Sequence, residues 1–194
     1  MSRQLLRFIN NILATAIVVL ALFILFSPFI PEFQLDVSKQ FGQGTDLDST
    51  TGSALLSSSQ IPDQNTVIIP EIGIHGVIYE GKTADTMNSG IWHRPLSSHP
   101  GDGGNTVLVA HRYLYTSGPD TFYHLPKIQP HSQIVIFWDK KEYRYEVINT
   151  KVVDANQIEI EKQTSDSILT LYTCTPLWTS EKRFVVQAKL VEPL

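Results

Sequence analysis

The sequence predicts a mainly β domain that follows an N-terminal apolar helix, and three observations support this. Residues 12–26 are apolar apart from Thr15. Residues 34–65 are rich in Ser, Thr, Gly, Gln and Asp and lack the apolar periodicity of a packed element. Beyond them, short segments rich in Val, Ile, Tyr and Phe alternate with turn residues, as in a sandwich or barrel. We therefore expect a cytoplasmic tip and transmembrane anchor at 1–31, a flexible tether at 32–64 and a β domain at 65–194.

The composition is that of one medium-sized folded domain with accessory segments. Hydrophobic residues make up 42% of the 194 residues, which is too large a fraction for a chain that is disordered throughout. The net charge of -4 and the pI near 5.8 provide no basic surface for a nucleic-acid backbone. We expect no nucleic-acid partner.

The apolar run at 12–26 is close to the shortest length that spans a bilayer, since a span needs about 17 to 25 residues. A cleaved signal peptide has a similar basic start and apolar run. Residues 27–32 offer no small-x-small cleavage site, which favours an uncleaved anchor. Arg3 and Arg7 precede the run, and the first charged residues after it are acidic. The positive-inside rule then predicts a single-pass cell-membrane protein with a cytoplasmic N-terminus and an extracellular β domain.

Seven segments of the β domain are predicted as strands because they are short, rich in β-branched and aromatic residues, and bounded by Gly, Pro, Asp and Asn. Residues 139–141 indicate a hairpin turn between two of these strands. Helical patterning is limited to parts of 82–89 and 119–125. The predicted strands are 66–70, 72–80, 105–112, 133–138, 142–153, 168–173 and 183–191.

Cys174 is the only cysteine, so it cannot form a disulfide within the chain. It follows a predicted strand and precedes Thr175 and Pro176, where a loop must begin. A lone cysteine is often a small buried hydrophobe, but a strand end is a position from which a scaffold presents a side chain. A cysteine attacks as the thiolate and therefore needs a base or a cation nearby.

Two other strand ends could supply these groups. His111 ends one predicted strand, on the same face as Val107 and Val109. Arg183 begins the last strand, and the short connection from Cys174 lets two antiparallel neighbours present both residues at one end. Taken singly, a histidine after an apolar run is more often structural, and an arginine is more often a solvated surface residue.

Two groups of possible metal ligands receive little support from the sequence. His93, His99 and His111 match no common zinc spacing, so we expect no metal site there. Four acidic residues could gather a calcium ion, but a solvated loop is the simpler interpretation, and no cofactor is expected to be required. These acids are Asp154, Glu159, Glu161 and Asp166.

Three segments resemble the signature segments of the sortases, in the same order along the chain. They are GNTVLVAHR, which contains His111, LTLYTC, which ends in Cys174, and RFVV, which begins with Arg183. The resemblance extends over about 61–193. It implies a closed β-barrel of about seven or eight strands with short helices. Further substrate-binding residues suggested by it are Ala110, which stands where many sortases have Gly, Thr173 and Trp178.

The resemblance implies a cell-surface cysteine transpeptidase that cleaves a C-terminal sorting signal similar to LPxTG. Cys174 would form a thioester with the Thr carbonyl, His111 would move the proton, and Arg183 would stabilise the oxyanion. The implied partners are secreted proteins with such signals, and peptidoglycan or its precursor as the amine acceptor. A pilin lysine is the other acceptor, but the tether lacks the Asp-Pro-aromatic lid of pilin-polymerising sortases, which favours wall anchoring.

Two other functions fit the same residues. In an adhesin or binding module, the three residues would be incidental and Cys174 would be buried and inert. In a mainly hydrolytic cysteine peptidase, water would replace the amine as acceptor. A thiol-reactive probe separates the first function from an enzyme, and product masses measured with and without an added amine separate the second.

Overall fold

The computed structural model describes residues 3–26, 61–113 and 120–191. The first of these ranges is one helix, α1 (Arg3–Phe26). Within α1, Arg7–Leu25 has a mean hydropathy of 2.5 and is entirely unburied, so the helix is long and apolar enough to cross a membrane. Signal sequences share this length and composition. Most of the predicted tether lies outside the described residues.

The second described unit contains eight β-strands. Their sequences are rich in Val, Ile, Tyr and Phe, side chains that fit the pleated, half-buried surface of a sheet. The strands are β1 (Thr66–Ile69), β2 (Ile74–Glu80), β3 (Ile91–His93), β4 (Asn105–Val109), β5 (Gln133–Trp138), β6 (Lys141–Asp154), β7 (Ile168–Thr175) and β8 (Lys182–Leu190).

These strands close into a barrel in the order β1-β2-β3-β4-β7-β8-β6-β5, with β5 returning to β1. The pairs β2–β3 and β4–β7 are parallel, and the remaining pairs are antiparallel. Closure gives each of these eight described strands a partner on both sides. The predicted mainly β fold and the implied closed barrel of about seven or eight strands are therefore confirmed.

The seven predicted strands coincide with seven of the eight, but one strand was missed and several strand ends were wrong. Strand β3 was missed because its three residues are too few to show a periodicity. Strand β4 was predicted to continue to residue 112, but it ends at Val109. Beyond Val109 the backbone leaves the ladder, and the carbonyl of His111 accepts a hydrogen bond from the N–H of Phe122 at 2.9 Å.

The predicted turn between β5 and β6 and the predicted helix within 82–89 are present, whereas the short helices at 70–72 and 158–161 were not predicted. Asp139 and Lys140 have φ angles of 48° and 61°, as a two-residue type I′ hairpin requires, and they join β5 to β6 as predicted. The helices within the described part of the domain are four short 3₁₀ segments. These segments are Pro70–Ile72, Ala84–Asn88, Leu125–Lys127 and Ile158–Glu161.

The barrel interior is filled by alternate residues of the strands. In β8, Val186 and Ala188 face the interior, as alternation predicts. Val185 faces outward and packs against Ile160, which belongs to the segment between β6 and β7. The largest fully buried side chains are Tyr145, Phe122, Ile68, Ile69, Ile72, Ile91, Leu108, Leu125, Ile134, Ile136, Leu169 and Leu171.

We expect Leu171→Ala to lower the free energy of unfolding by about 2–5 kcal/mol, because it leaves a cavity at a fully buried site between β4 and β8. The matched control is Val152→Ala, since that side chain is 54% exposed and should change stability by less than about 0.5 kcal/mol. Urea denaturation measures both. Equal losses in the two variants would contradict the placement of Leu171 in the core.

Candidate active site

The site begins where the parallel strands β4 and β7 end. The last pair in their ladder is Val109 with Tyr172. Val109 is followed in the chain by Ala110 and His111, and Tyr172 is followed by Thr173 and Cys174. Because parallel strands share their C-terminal edge, His111 and Cys174 emerge at the same edge of the barrel.

Two hydrogen bonds hold the chain segments together on either side of His111 and Cys174. The Thr173 hydroxyl donates to the Ala110 carbonyl at 2.9 Å, one residue before the pair. The Arg112 Nη1 group donates to the Thr175 hydroxyl at 3.2 Å, one residue after it. Arg112 also donates through Nε to the Tyr123 carbonyl at 3.3 Å. The two segments are thus fixed side by side beyond the end of the β4–β7 ladder.

Arg183 reaches the same edge from the other neighbour of β7. It lies directly opposite Cys174 in the antiparallel β7–β8 pair, where Cβ atoms are about 4.5–5.5 Å apart. Its Nη1 group donates to the carbonyls of Ser180 and Lys182 at 2.9 and 3.0 Å. These bonds tie the guanidinium to the β7–β8 connection and orient it.

His111, Cys174 and Arg183 all line one cavity of about 300 Å³. Each of the three side chains is partly exposed, so a solute can reach them. Other parts of the lining come from the 158–161 helix and from strand β3 with the adjoining Arg94. The residues with the largest side chains in these walls are Trp92, Arg94, Ile158, Ile160 and Glu161.

A half-buried charge network connects these elements. Arg94 donates from Nε and Nη2 to the two carboxylate oxygens of Glu161, each at 3.0 Å, and its guanidinium lies 4.6 Å from the Trp92 ring centroid. The Tyr172 hydroxyl donates to Glu161 at 2.5 Å. One carboxylate therefore links β3, β7 and the 158–161 helix.

The pKa values of this network keep its members in a single protonation state. Burial, followed by the hydrogen bond and the charge of Glu161, raises the pKa of Tyr172 far above its ordinary value. Burial by itself lowers the pKa of Arg94, but Glu161 and Tyr172 together outweigh burial and raise it. Tyr172 therefore remains a hydroxyl donor, and Arg94 a cation, at neutral pH.

Residues 67–191 match the Sortase domain family. The chain belongs to the sortase family. It is similar to sortase D of Bacillus subtilis (strain 168), with 30% identity over 130 residues that cover 63% of this chain and 61% of that protein. This part of the chain thus spans less than two thirds of that relative. The resemblance stated from the signature segments is confirmed.

Solved sortase structures share the fold. Sortase C1 of GBS pilus island 1 has a TM-score of 0.62 and 28% identity, and the match covers 67% of this chain and 66% of that one. A Clostridium perfringens sortase D5 transpeptidase has a TM-score of 0.59 and 25% identity, with 79% of this chain and 95% of that chain covered.

The three residues predicted to bind substrate in this sortase, Ala110, Thr173 and Trp178, differ from one another in exposure and contacts. Ala110 and Thr173 line the cavity, but each is only 1% exposed, and the Thr173 hydroxyl is already engaged by the Ala110 carbonyl. Trp178 is 65% exposed and packs edge-on against Tyr113, with ring centroids 5.3 Å apart. Thr173 is therefore better described as a positioning residue than as a substrate contact.

Several residues that line or support the cavity were not predicted. Tyr172 had a usable signal, because it stands two residues before Cys174 on one strand and so shares its face. Arg112 adjoins His111, but its bond to Thr175 depends on the parallel pairing. Arg94 and Glu161 are 67 residues apart in sequence, and no spacing in the chain indicates that they meet.

Neither the three histidines nor the four acidic residues that the sequence offered as metal ligands come together as one group. His93 and His99 lie against each other, with ring centroids 5.4 Å apart, whereas His111 lines the cavity. Of the four acids, Glu161 is bound to Arg94 as described above. Two more have a lysine partner: Asp154 with Lys182 at 4.0 Å, and Asp166 with Lys189 at 3.1 Å.

We expect Thr173→Val to slow alkylation of Cys174 several-fold at neutral pH, because the segment that carries His111 loses one of its two ties to β7. The free energy of unfolding should fall by about 1–3 kcal/mol, since the Ala110 carbonyl loses a buried partner. Iodoacetamide kinetics and urea denaturation measure the two effects.

The matched control is Thr164→Val. The hydroxyl of Thr164 bonds only two residues along an exposed loop, to the Asp166 carbonyl. This variant should alkylate at the wild-type rate. If Thr173→Val lost stability and yet alkylated at that same rate, Thr173 would be a packing residue without a positioning role.

Proposed function

We propose that this chain is a membrane-anchored cysteine transpeptidase. It cleaves a C-terminal sorting signal similar to LPxTG and transfers the protein to an amine of the cell wall. The observation that supports this most strongly is the pair of hydrogen bonds that flank His111 and Cys174, with Arg183 opposite Cys174 in the same cavity. Membership of the sortase family supports the same reaction class.

In the first half-reaction, the Cys174 thiolate attacks the carbonyl carbon of the Thr residue in the signal. The tetrahedral adduct collapses with cleavage of the C–N bond, and His111 as imidazolium gives its proton to the departing Gly amine. A thioester joins the substrate to Cys174, and His111 is left neutral. Neither residue needs a partner outside the cavity for this step.

Arg183 is suited to stabilise the negative charge of the adduct. Among the described residues, its hydrogen bonds use Nη1 alone, so the N–H groups on Nε and Nη2 remain for the oxyanion or the substrate backbone. The carbonyls of Ser180 and Lys182 hold the guanidinium in place before the charge develops, which is the condition for effective electrostatic catalysis.

In the second half-reaction, an amine attacks the thioester carbonyl. Neutral His111 accepts the proton from the attacking nitrogen, and the second adduct collapses to an amide while the Cys174 thiolate leaves. Peptidoglycan or its precursor is the proposed acceptor. Attack by water in place of the amine gives the hydrolytic reaction instead.

The dimensions of the site agree with a short extended peptide. A cavity of about 300 Å³ lies at the lower end of the usual range for ligand sites. Its walls combine apolar side chains, such as Ile158 and Ile160, with the Arg94–Glu161 pair. The proposed partners are secreted proteins whose C-terminal signal can enter this groove.

The proposed location is the cell membrane, with α1 as a single-pass anchor. Arg7 stands at the N-terminal end of the apolar stretch, and the positive-inside rule then directs this end to the cytoplasm. The barrel would lie outside the cell, where secreted substrates and the wall are accessible.

The full chain in detergent should convert a fluorescent LPxTG-type peptide to a triglycine adduct, as detected by mass spectrometry. Cys174→Ala should give no product, whereas His131→Ala should retain the wild-type rate, because His131 is 82% exposed and bonds to Glu146. Hydrolysed product alone, with or without triglycine, would indicate a peptidase. Failure to cleave any such peptide, with Cys174 still reactive, would reject the proposal.

We expect Arg183→Lys to lower kcat by about 10²–10³-fold, since an ammonium group lacks the fork of a guanidinium and loses a fixed donor to the oxyanion. The control is Arg144→Lys, at a 43% exposed position with a local partner in Glu142. Steady-state kinetics with the same peptide measure both. A change in KM at constant kcat would assign Arg183 to ground-state binding instead.

A further inference from the structure

We propose that Glu80, His93 and His99 form a binding site for a divalent transition-metal ion such as Zn²⁺. The site is separate from the catalytic cavity. In β3, Trp92 and the adjoining Arg94 line that cavity, whereas His93 between them points to the other face of the strand. The inference does not depend on the proposed transpeptidase chemistry.

Two parts of the chain bring the three side chains together. Glu80 and His93 are direct neighbours in the parallel β2–β3 pair, so their side chains leave the sheet on the same face. His99 comes from the loop that joins β3 to β4. Glu80 Oε1 lies 3.0 Å from His93 Nδ1 and 3.6 Å from His99 Nε2.

Hydrogen bonding determines which nitrogen of His93 faces Glu80 without a proton. His93 is 5% exposed, and its Nε2 lies 3.1 Å from the Ser98 carbonyl oxygen. The Ser97 hydroxyl lies 2.9 Å from the same nitrogen and donates its own proton to the Arg94 carbonyl at 2.8 Å. Both neighbours of Nε2 are therefore acceptors, and the tautomer of neutral His93 that satisfies them carries its proton on Nε2 and its lone pair on Nδ1. This lone pair faces a carboxylate oxygen at 3.0 Å, and a metal ion that binds both Nδ1 and Oε1 would satisfy the contact.

The spacing of the donor atoms suits a metal ion. Bonds of about 2.0–2.1 Å in a tetrahedral site place neighbouring ligand atoms roughly 3.3 Å apart. The two contacts of Glu80 Oε1 lie on either side of that value, and all three ligand atoms lie within 4.8 Å of one another. Two imidazoles and one carboxylate form a ligand set that is known for zinc with an open fourth position.

The surroundings orient the ligands as those of a metal site do. The His93 Nε2–H bond to a backbone carbonyl is the usual outer contact of a metal-binding histidine. His99 presents Nδ1 to Asp102 Oδ2 at 3.6 Å, on the side away from Glu80. The Trp138 ring lies 5.0 Å from His93 and 5.3 Å from His99, and provides an apolar floor.

A bound ion would connect β2, β3 and the β3–β4 loop. Glu80 and His99 are 61% and 52% exposed, so an ion can enter from solvent without opening the barrel. Imidazole ligands favour zinc and its neighbours in the first transition row over calcium. Because the ion would link three chain segments of the folded barrel, we expect it to stabilise the folded state.

The test uses the full chain in detergent, without a histidine tag, after treatment with EDTA. It carries Cys174→Ala, so that no ion binds at the catalytic thiol. Isothermal titration calorimetry with ZnCl₂ should show one equivalent bound. Thermal denaturation should show that zinc raises Tm by several degrees. Co²⁺ should give the visible absorption of a tetrahedral site. Binding weaker than about 100 µM would not stabilise the fold at micromolar zinc and would overturn the proposal.

Two variants at exposed positions localise the ion. Glu80→Gln and His99→Ala should each weaken zinc binding by at least tenfold and abolish the rise in Tm. The control is His131→Ala, which removes a surface histidine that is also paired with a glutamate and should leave binding unchanged. Full zinc affinity in both ligand variants, or its loss in the control, would place the ion elsewhere and reject the site. Glu80 would then be the ion-pair partner of a protonated His93.

Discussion

The parallel pairing of β4 with β7 is the constraint on which the active site depends. It places the C-terminal ends of two strands that are about 60 residues apart in sequence at one edge of the barrel. His111 and Cys174 are the second residues beyond the last ladder pair on their respective strands. An antiparallel arrangement would have sent them to opposite ends. Their chemistry as a pair is a consequence of strand direction.

Closure of the barrel makes this pairing rigid. Strand β7 is bonded on both sides, to β4 and to β8, so its end cannot fray as an edge strand would. The register with β8 also sets Arg183 opposite Cys174. Beyond the ladder, the bonds from Thr173 and Arg112 extend the alignment by three residues. Sites on rigid elements hold reacting groups within the narrow tolerance that catalysis requires.

Strand β3 separates two polar environments although it has only three residues. On one face, Trp92 and the adjoining Arg94 contribute to the wall of the catalytic cavity. On the other face, His93 meets Glu80 and His99 over the ring of Trp138. Alternation of side chains along a strand is enough to keep the two sites apart. An ion bound at His93 would therefore influence the cavity only through the position of β3.

Much of the protein could be predicted from local patterns. The apolar run of α1, seven of eight strands and the type I′ hairpin at Asp139 depend on interactions within a few residues. The order of the motifs around His111, Cys174 and Arg183 was sufficient to indicate the family. The assignment of Cys174 as a nucleophile depends on the presence of a base and a cation, and His111 and Arg183 are the residues that line the same cavity.

Only the tertiary structure decided how these residues meet. Strand β3 is too short to carry a periodicity, and the contacts of Glu161 with Arg94 and of Glu80 with His93 join residues whose separation follows no repeat. The register of closed strands determines such contacts, and register depends on all strands at once. The sequence by itself therefore determined the kinds of element and the chemical groups, whereas the closed barrel determined their neighbours, because contact across strands is a property of the whole sheet.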